Sequence, residues 1–274
     1  MNRGNRATQS PRRGPDHAAS ELPDLRRWLR QIRDHQGLSR PEVARRSSVS
    51  AGLLKAIELG TASCTSPVLE QLMTAYELDS AQQRHTRALT QLSAALTPVE
   101  ELRRRRTART HLATLNRLDE LGAVGAYIDP LWNIVYANRC FRTRLPGVDA
   151  YDDNLALWFF HPDTTTHTAE PLVVDWDAAA VYFVASLRAG FGVHRDTPQA
   201  LALFQKLRGA VTFNRLWETS IALAYGYQTD ERVHLRVPVT GEPYTARIHV
   251  GSKGNPDVRF CLGYLDHCPP PTDL

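Results

Sequence analysis

The side chains that could do acid–base, nucleophilic or metal chemistry in this sequence lack the spacing that such chemistry requires. The acidic pairs Asp152/Asp153 and Asp175/Asp177 fit turn and helix-cap roles better than general acid–base catalysis. The ten histidines are scattered, and the four cysteines show neither CxxC spacing nor the histidine companions of a zinc site. Motifs of the types GxGxxG and GxSxG are absent from the sequence. We therefore expect no catalytic residues, no cofactor and no bound metal.

One stretch has residue types and spacing that suit a different chemistry, the recognition of nucleic acid. Residues 38–60, LSRPEVARRSSVSAGLLKAIELG, combine arginine, lysine and hydroxyl side chains with two short helical patterns. Such side chains bond phosphate oxygens and base edges. Because a tight joint separates the two patterns, the stretch favours a helix-turn-helix, whose second helix enters the major groove of DNA. An ordinary helical hairpin in an all-α domain is the alternative.

Both helices of this stretch have recognisable start or stop signals. Ser39 and Glu42 have the spacing of a capping box, so the first helix should begin at Arg40. Ser50 offers an N-cap for the second helix, and Gly60 should end that helix.

Residues on both sides of the stretch complete a small helical domain. Apolar positions at helical spacing predict a first helix from Asp24 to Gln36, and Ser66 starts a fourth helix. A fifth helix, capped by Asp79 or Ser80, is predicted to reach about Leu96. Five helices can bury one small core.

Four features of this region follow the pattern of a known family: LSRPEVARRSSVS, the pair Ile57–Glu58, Gly60 and SPVLEQL. On these features the sequence resembles the XRE (Cro/repressor-like) helix-turn-helix family over residues 22 to about 90. The resemblance implies a five-helix domain that binds double-stranded DNA through the second helix of the motif.

The geometry of the motif and this resemblance together assign DNA contacts to particular residues. Those expected in the groove are Ser50, Ala51, Gly52 and Lys55, and Arg40 should lie beside a phosphate. Ala51 and Gly52 depart from the family, because neither can make a bidentate base contact worth roughly 1–3 kcal/mol of discrimination. We therefore expect Lys55, phosphate contacts and DNA shape to share the specificity. A solvated surface lysine is the alternative for Lys55.

The charge distribution divides the chain into two halves. Residues 1–111 hold 19 Lys and Arg against 11 Asp and Glu, whereas residues 112–274 hold 14 against 18. A basic half joined to a mildly acidic half suits a nucleic-acid module followed by a domain of another function. Residues 1–20 have few apolar side chains, so we expect a flexible basic arm that either follows DNA phosphates or is a solvated tail.

A connecting helix is predicted between the two halves, from the start signal at Thr97 and Pro98 to near Gly122. It carries four consecutive arginines, Arg103, Arg104, Arg105 and Arg106. Adjacent cations repel one another, so either a polyanion such as DNA neutralises them or they fan out into solvent. Both alternatives stay open, and the four arginines are candidates for DNA binding.

The second half combines strands and helices. Runs of β-rich residues predict a hairpin of AVGAYID with NIVYANR and three later strands, RVHLRVPV, YTARIHV and VRFCLGYL. Helical periodicity predicts helices from about Asp175 to Ala189 and from Pro198 onward. Two strands, a helical insert and three more strands make an α+β domain with a PAS-like antiparallel sheet backed by helices.

Several motifs of the second half follow one family in order and spacing: NLALWFFHPDT, Asp175–Trp176, SLRAGFGVHRDTPQALALFQKL, FNRLW and PVTGE. On these motifs the second half is similar to the MmyB-like ligand-binding domain, which stands behind XRE-type helix-turn-helix domains. The resemblance implies a one-component transcription factor whose PAS-like domain senses a small apolar ligand, such as a fatty acid.

Aromatic side chains are concentrated in the second half, where they either line a ligand pocket or pack in the core. The candidates for ligand contact are Trp158, Tyr182, Phe183, Phe204, Phe213 and Trp217. Core packing is the alternative for each of them.

These features together predict a multidomain α and α+β protein that regulates transcription. The expected segments are a basic arm (1–20), a five-helix helix-turn-helix domain (21–96), a linker (97–121), a PAS-like ligand-binding domain (122–268) and a tail (269–274). We expect a homodimer that binds a palindromic operator through a recognition helix near residues 51–59. No apolar run is long enough for a membrane span, so we expect the protein in the cytoplasm, at the nucleoid. The alternative is a DNA-binding protein whose C-terminal domain mediates protein interaction or dimerisation without a ligand.

Overall fold

The structure, a computed structural model, describes residues 22–161, 169–226, 232–251 and 257–265. Within these ranges, an N-terminal helical region precedes a five-stranded antiparallel sheet that is accompanied by helices. The predicted fold class, multidomain α and α+β, is therefore confirmed. The predicted arm at 1–20 and the predicted tail at 269–274 lie outside the described residues.

Five helices form the N-terminal region of the described chain: α1 (Leu25–His35), α2 (Arg40–Arg46), α3 (Ala51–Leu59), α4 (Ser66–Ala75) and α5 (Ser80–Ala88). Ser39 and Glu42 form a complete capping box at the start of α2. The Ser50 side chain accepts a hydrogen bond from the Leu53 amide at the start of α3. Gly60 ends α3 in the left-handed conformation, with φ of 75°.

A buried apolar core ties α3 to α1. Trp28, Leu29 and Ile32 of α1 belong to one cluster of buried side chains. Leu54 and Ile57 of α3 belong to the same cluster. Burying each large apolar side chain contributes roughly 1.5–3 kcal/mol relative to leaving it exposed. The position of α3 therefore follows the position of α1.

The end of α5 differs from the prediction. The sequence predicts a helix to about Leu96, but α5 ends at Ala88. The chain beyond it runs along the end of a later helix, where the Ala94 amide donates to the Val193 carbonyl at 2.8 Å and the Ala94 carbonyl accepts from Nδ1 of His194 at 3.1 Å. Because these tertiary hydrogen bonds replace helical ones, the predicted length of the fifth helix is wrong.

The connecting segment forms two helices. These are α6 (Val99–Arg104) and α7 (Ala108–Glu120), and the chain between them is extended at Arg105, with ψ of 153°. The Arg105 guanidinium donates to the Asp257 carboxylate at 2.7 Å and to the Thr97 hydroxyl at 3.2 Å. Because these contacts hold the break in place, the prediction of one continuous connecting helix is wrong.

The sheet contains β1 (Val124–Ile128), β2 (Ile134–Ala137), β3 (Arg232–Arg236), β4 (Pro243–Gly251) and β5 (Arg259–Leu265). The strand order across the sheet is β2-β1-β5-β4-β3, and all neighbouring strands are antiparallel. Both the predicted hairpin and the three later strands are present, as the PAS-like expectation requires.

Both edge strands of the sheet are bonded to other parts of the chain. At β2, Arg103 of α6 donates to the carbonyls of Ile134 and Val135, each at 3.0 Å. At β3, the Arg236 amide donates to the Leu172 carbonyl at 2.8 Å. These bonds occupy edge groups that would otherwise be open to pairing with another strand.

The helices in the C-terminal part of the described chain are α8 (Arg139–Arg144), α9 (Leu155–Phe160), α10 (Trp176–His194), α11 (Pro198–Leu207) and α12 (Val211–Thr219). α10 continues past its predicted end at Ala189, because Gly190 and Gly192 allow close packing and do not end the helix. A β-carbon on Gly190 would lie 2.5 Å from the Pro130 carbonyl oxygen. Among the helices that the structure describes, we find none whose length and apolar character would allow it to cross a membrane.

Candidate functional site

The N-terminal end of α3 is an exposed surface. Lys55 and Gly52 are exposed, and Ala51 is half-buried. Nothing lies within 4 Å of the position that a β-carbon on Gly52 would take. Since residues three and four apart share a helix face, Lys55 lies over Ala51 and Gly52. Ser50 starts the same helix and uses its hydroxyl to accept the Leu53 amide at 3.1 Å. The structure thus brings the four groove candidates to one end of α3.

A buried ion-pair triad fixes α3 against α1 and α2. The Glu58 carboxylate, whose side chain is 1% exposed, accepts from Nε of Arg33 at 2.7 Å and from Nη2 of Arg40 at 2.6 Å. The hydrogen bond to Glu58 raises the pKa of Arg33, while burial opposes the rise. A carboxylate held by two guanidiniums keeps its charge compensated away from water. The triad therefore helps to hold α3 in place against α1 and α2.

Arg40 takes part in this triad, which the sequence interpretation did not foresee. Its guanidinium is bound to Glu58, and its side chain is 33% exposed. Arg40 therefore positions the recognition helix, and its contact with a DNA phosphate stays a prediction. The sequence marks Glu58 only as part of the family pattern, because its partner Arg33 lies 25 residues earlier in the chain.

The four consecutive arginines do not share one surface. Arg103 is turned toward β2, where it donates to two carbonyls, and Arg105 is turned toward Asp257. Arg104 and Arg106 are exposed, and Nε of Arg104 donates to the Glu100 carbonyl of its own helix at 3.0 Å. Two of the four side chains thus connect α6 and the residue after it to the C-terminal domain.

A second candidate site is a cavity of about 620 Å³ in the C-terminal domain. The sheet contributes Val124, Ile248 and Cys261 to its wall, and α10 contributes Ala178 and Ala179. The lining is mostly apolar, and its volume falls in the range of about 300–1,000 Å³ typical of small-molecule sites.

Three of the predicted ligand-binding aromatics line this cavity. They are Trp158 of α9 and Tyr182 and Phe183 of α10. The other three predicted residues lie in an aromatic cluster among α10, α11 and α12, away from the cavity lining. In that cluster Trp217 lies 5.0 Å from Phe204 and 5.6 Å from Phe213, measured between ring centroids. Helical spacing alone could not separate the two groups, because both occupy apolar helix faces.

Trp132, between β1 and β2, also lines the cavity, although it is not among the six aromatic candidates for ligand contact. Its φ of 68° is unusual for a bulky side chain and costs conformational energy. Its Nε1 donates to the Ser186 hydroxyl of α10 at 3.1 Å, and its ring lies 4.6 Å from the ring of Phe183. A strained residue thus connects the cavity wall to the middle of α10.

Polar side chains are few in the lining, and Arg144 is one of them. Its guanidinium carbon lies 4.7 Å from the centre of the Tyr244 ring. Burial raises the pKa of Tyr244, and the hydrogen bond from Arg144 opposes that rise. Burial also raises the pKa of Cys261 to about 12. The Cys261 thiol is therefore protonated near neutral pH and contributes apolar surface instead of a nucleophile.

Comparison with known protein families gives two matches. Residues 24–86 match a helix-turn-helix domain, and residues 111–260 match the MmyB-like transcription regulator ligand binding domain. No curated protein matches the chain. The matched families are transcription regulator families and not enzyme families, so the expectation that the chain is not an enzyme is confirmed. Both resemblances drawn from the sequence are confirmed as well.

Proposed function

Since the chain belongs to the MmyB-like transcription regulators and carries a helix-turn-helix DNA-binding domain before its ligand-binding domain, we propose that it binds a palindromic operator as a homodimer and responds to a small apolar ligand. The observation that carries this proposal is the mostly apolar cavity of about 620 Å³, whose wall includes α10. A chain that joins DNA binding and ligand binding in this way is a one-component regulator, acting in the cytoplasm at the nucleoid.

The proposed ligand has a long apolar part and an acidic end, as a fatty acid does. Trp158, Tyr182 and Phe183 would contact the apolar part. Arg144 would bind the acidic end, because a guanidinium forms strong, charge-assisted hydrogen bonds with a carboxylate. The half-buried position of Arg144 supports this assignment, since such bonds strengthen when water is partly excluded.

The proposed mode of DNA binding places the N-terminal end of α3 in the major groove. Lys55 and Ser50 would supply the polar contacts there, while Ala51 and Gly52 would allow close approach of the backbone. Arg104, which is exposed, would contact a phosphate with Arg106, and the two α3 helices of a dimer would meet half-sites about 34 Å apart or a multiple of that distance. The segment boundaries at residues 20, 96, 121 and 268 are part of the same proposal.

The DNA-binding part is tested by fluorescence anisotropy with a labelled duplex from the gene's own promoter region. A random duplex of equal length, at moderate salt, is the control. We expect the promoter duplex to bind more tightly by roughly 10³-fold or more, as specific sites do. Equal affinity for both duplexes would contradict operator recognition.

The ligand part is tested by mass spectrometry of small molecules released from the purified, denatured protein. A co-purified amphipathic acid present in stoichiometric amount would support the proposal. An empty cavity together with a stable, stoichiometric protein partner would support the other function, in which the C-terminal domain is an interaction module.

A further inference from the structure

Helix α10 contacts both candidate sites. Its first half, through Ala179, Tyr182 and Phe183, lines the cavity. Its second half, from Val184 to Gly192, is buried at every residue. A helix buried all round has no solvent face and transmits a displacement directly to its neighbours. At about 1.5 Å per residue, its 19 residues span roughly 28 Å.

At the cavity end, Ser186 joins α10 to the wall of the cavity. The Ser186 hydroxyl accepts from Nε1 of Trp132 and from Nη1 of Arg259, both at 3.1 Å. The Arg259 guanidinium also donates to the Pro130 carbonyl at 2.8 Å. A ligand that moves the Trp132 ring therefore acts on the middle of α10 through a buried hydrogen bond.

At the other end, two glycines place α10 tightly between the two domains. Gly190 and Gly192 are two residues apart, so they point to opposite sides of the helix. A β-carbon on Gly190 would meet the Pro130 carbonyl, and one on Gly192 would lie 2.3 Å from Cε1 of His85 in α5. No side chain fits at either position without displacing a neighbour.

His85 connects Gly192 of α10 to the core of the helix-turn-helix domain. The His85 side chain is fully buried, and neither of its ring nitrogens has a hydrogen-bond partner among the described residues. Its ring packs edge-on against Trp28 of α1, with 4.9 Å between ring centroids. Nε1 of Trp28 donates to the Thr86 hydroxyl of α5 at 2.8 Å. α5 and α1 are thus in direct contact with each other beside the point where α10 packs against α5.

A second route connects α10 to α1 through the end of α12. The Trp217 carbonyl, near the C-terminus of α12, accepts from Nη2 of Arg188 in α10 and from Nε2 of Gln31 in α1, both at 2.8 Å. The Arg188 side chain also donates to the Ala222 carbonyl at 2.8 Å. The last carbonyls of a helix lack partners in the helix itself, and here both domains share them.

From these contacts we propose that α10 couples the cavity to the recognition helix, with Ser186 as its contact on the ligand side and Gly192 against His85 as its contact on the DNA-binding side. The identity of the ligand that starts this coupling rests on the proposed function. In this coupling the positioning residues are Gly192, His85, Arg188 and Gln31. α1 carries the signal onward, because Trp28 shares the apolar core of α3 and Arg33 holds Glu58.

Hydrogen exchange of the full-length protein, followed by mass spectrometry, tests the proposal. The cavity is perturbed in two ways: palmitate is added to the unmodified protein, and Ala179→Trp places an indole ring in the cavity without any ligand. We expect amide exchange in α1 and α5 to change by roughly fivefold or more in each case. Exchange of the same segments in the unmodified protein without palmitate serves as the reference.

Two further variants test the route. Ser186→Ala removes the hydroxyl that Trp132 and Arg259 share, and it should alter exchange in α5 by itself. Gly192→Ala should do so as well, because its β-carbon would push against His85. In the double variant Gly192→Ala/His85→Ala the push is relieved, so the pattern should return toward that of His85→Ala alone.

The outcomes separate this proposal from the proposed ligand. If Ala179→Trp or Ser186→Ala alters α5 while palmitate leaves β4 and β5 unprotected, the coupling stands and the ligand class is wrong. If every variant that folds changes exchange around the cavity but leaves exchange in α1 and α5 as it is in the unmodified protein, the coupling through α10 is overturned. Should Ala179→Trp fail to fold, Ser186→Ala decides alone.

Discussion

Lowering the pH from 8 to 5 should destabilise the helix-turn-helix domain through one residue, His85. Burial, with smaller contributions from Arg188 and Arg195, lowers the pKa of His85 to about 3. In the unfolded chain a histidine titrates near 6.5. Because the pKa is lower in the folded state, the stability is complete above pH 6.5 and is lost as the pH falls toward 3. At pH 5 the unfolded ring is almost fully protonated while the folded ring stays neutral, which costs about 2 kcal/mol.

The assay is urea denaturation, followed by circular dichroism, of the unmodified protein and of His85→Leu at both pH values. Leucine has a similar volume and does not titrate, so all other titrating groups contribute equally to both proteins. We expect the free energy of unfolding of the unmodified protein to fall by about 2 kcal/mol more than that of the variant. Parallel losses in the two proteins would refute the reasoning, because they would mean that the ring is protonated in the folded state or is accessible to water.

Three other perturbations have expected outcomes. Lys55→Ala should reduce discrimination among operator sequences, whereas Arg104→Ala should weaken binding to all DNA equally and flatten the salt dependence of binding. Competition gel shifts at several salt concentrations measure both effects. The same behaviour in both variants would contradict this division of roles. Glu58→Ala removes the buried carboxylate that Arg33 and Arg40 share and leaves Arg33 with the exposed Asp34 carboxylate, so it should cost about 3–5 kcal/mol in urea denaturation. A loss below about 1 kcal/mol would contradict the structural role of the triad. Arg144→Leu should weaken palmitate binding by roughly tenfold and leave hexadecanol binding unchanged in calorimetric titration, and equal losses for both would place the acidic end elsewhere.

The sequence predicted those structural features that depend on residues close together in the chain. Ser39 with Glu42 predicted the start of α2, and Ser50 predicted the start of α3, because a capping side chain bonds amides within three residues. The strands were predicted for the same reason, since a run of β-rich residues is a property of neighbouring residues. The ionic contact of Glu58 with Arg33 was not predicted, because it depends on how α1 and α3 meet in space.

Local sequence patterns could not predict which residues line the cavity. Phe183 and Phe213 both occupy apolar helix faces, yet only Phe183 lines the cavity, because the path of the chain decides which face meets the sheet. The left-handed backbone of Trp132 could not be predicted, since this conformation is rare for tryptophan. The helix predicted to end near Ala189 continues through Gly190 and Gly192, which pack tightly against Pro130 and His85. At each of these positions, contacts between distant parts of the chain decided the structure, and the local preference of the residue did not.

The covered edges of the sheet restrict how two copies of this protein can associate. Arg103 occupies carbonyls of β2, and the Leu172 carbonyl takes an amide of β3, so neither edge in the described part of the chain offers an open row of groups to a second sheet. A continuous sheet running across a dimer would first have to strip Arg103 from β2 or displace the segment at Leu172. If the chain forms the homodimer proposed above, we expect its contacts to come from helix or sheet faces, where side chains rather than backbone groups select the partner. Substitutions on those faces could then change the association of two copies while the sheet itself is left intact.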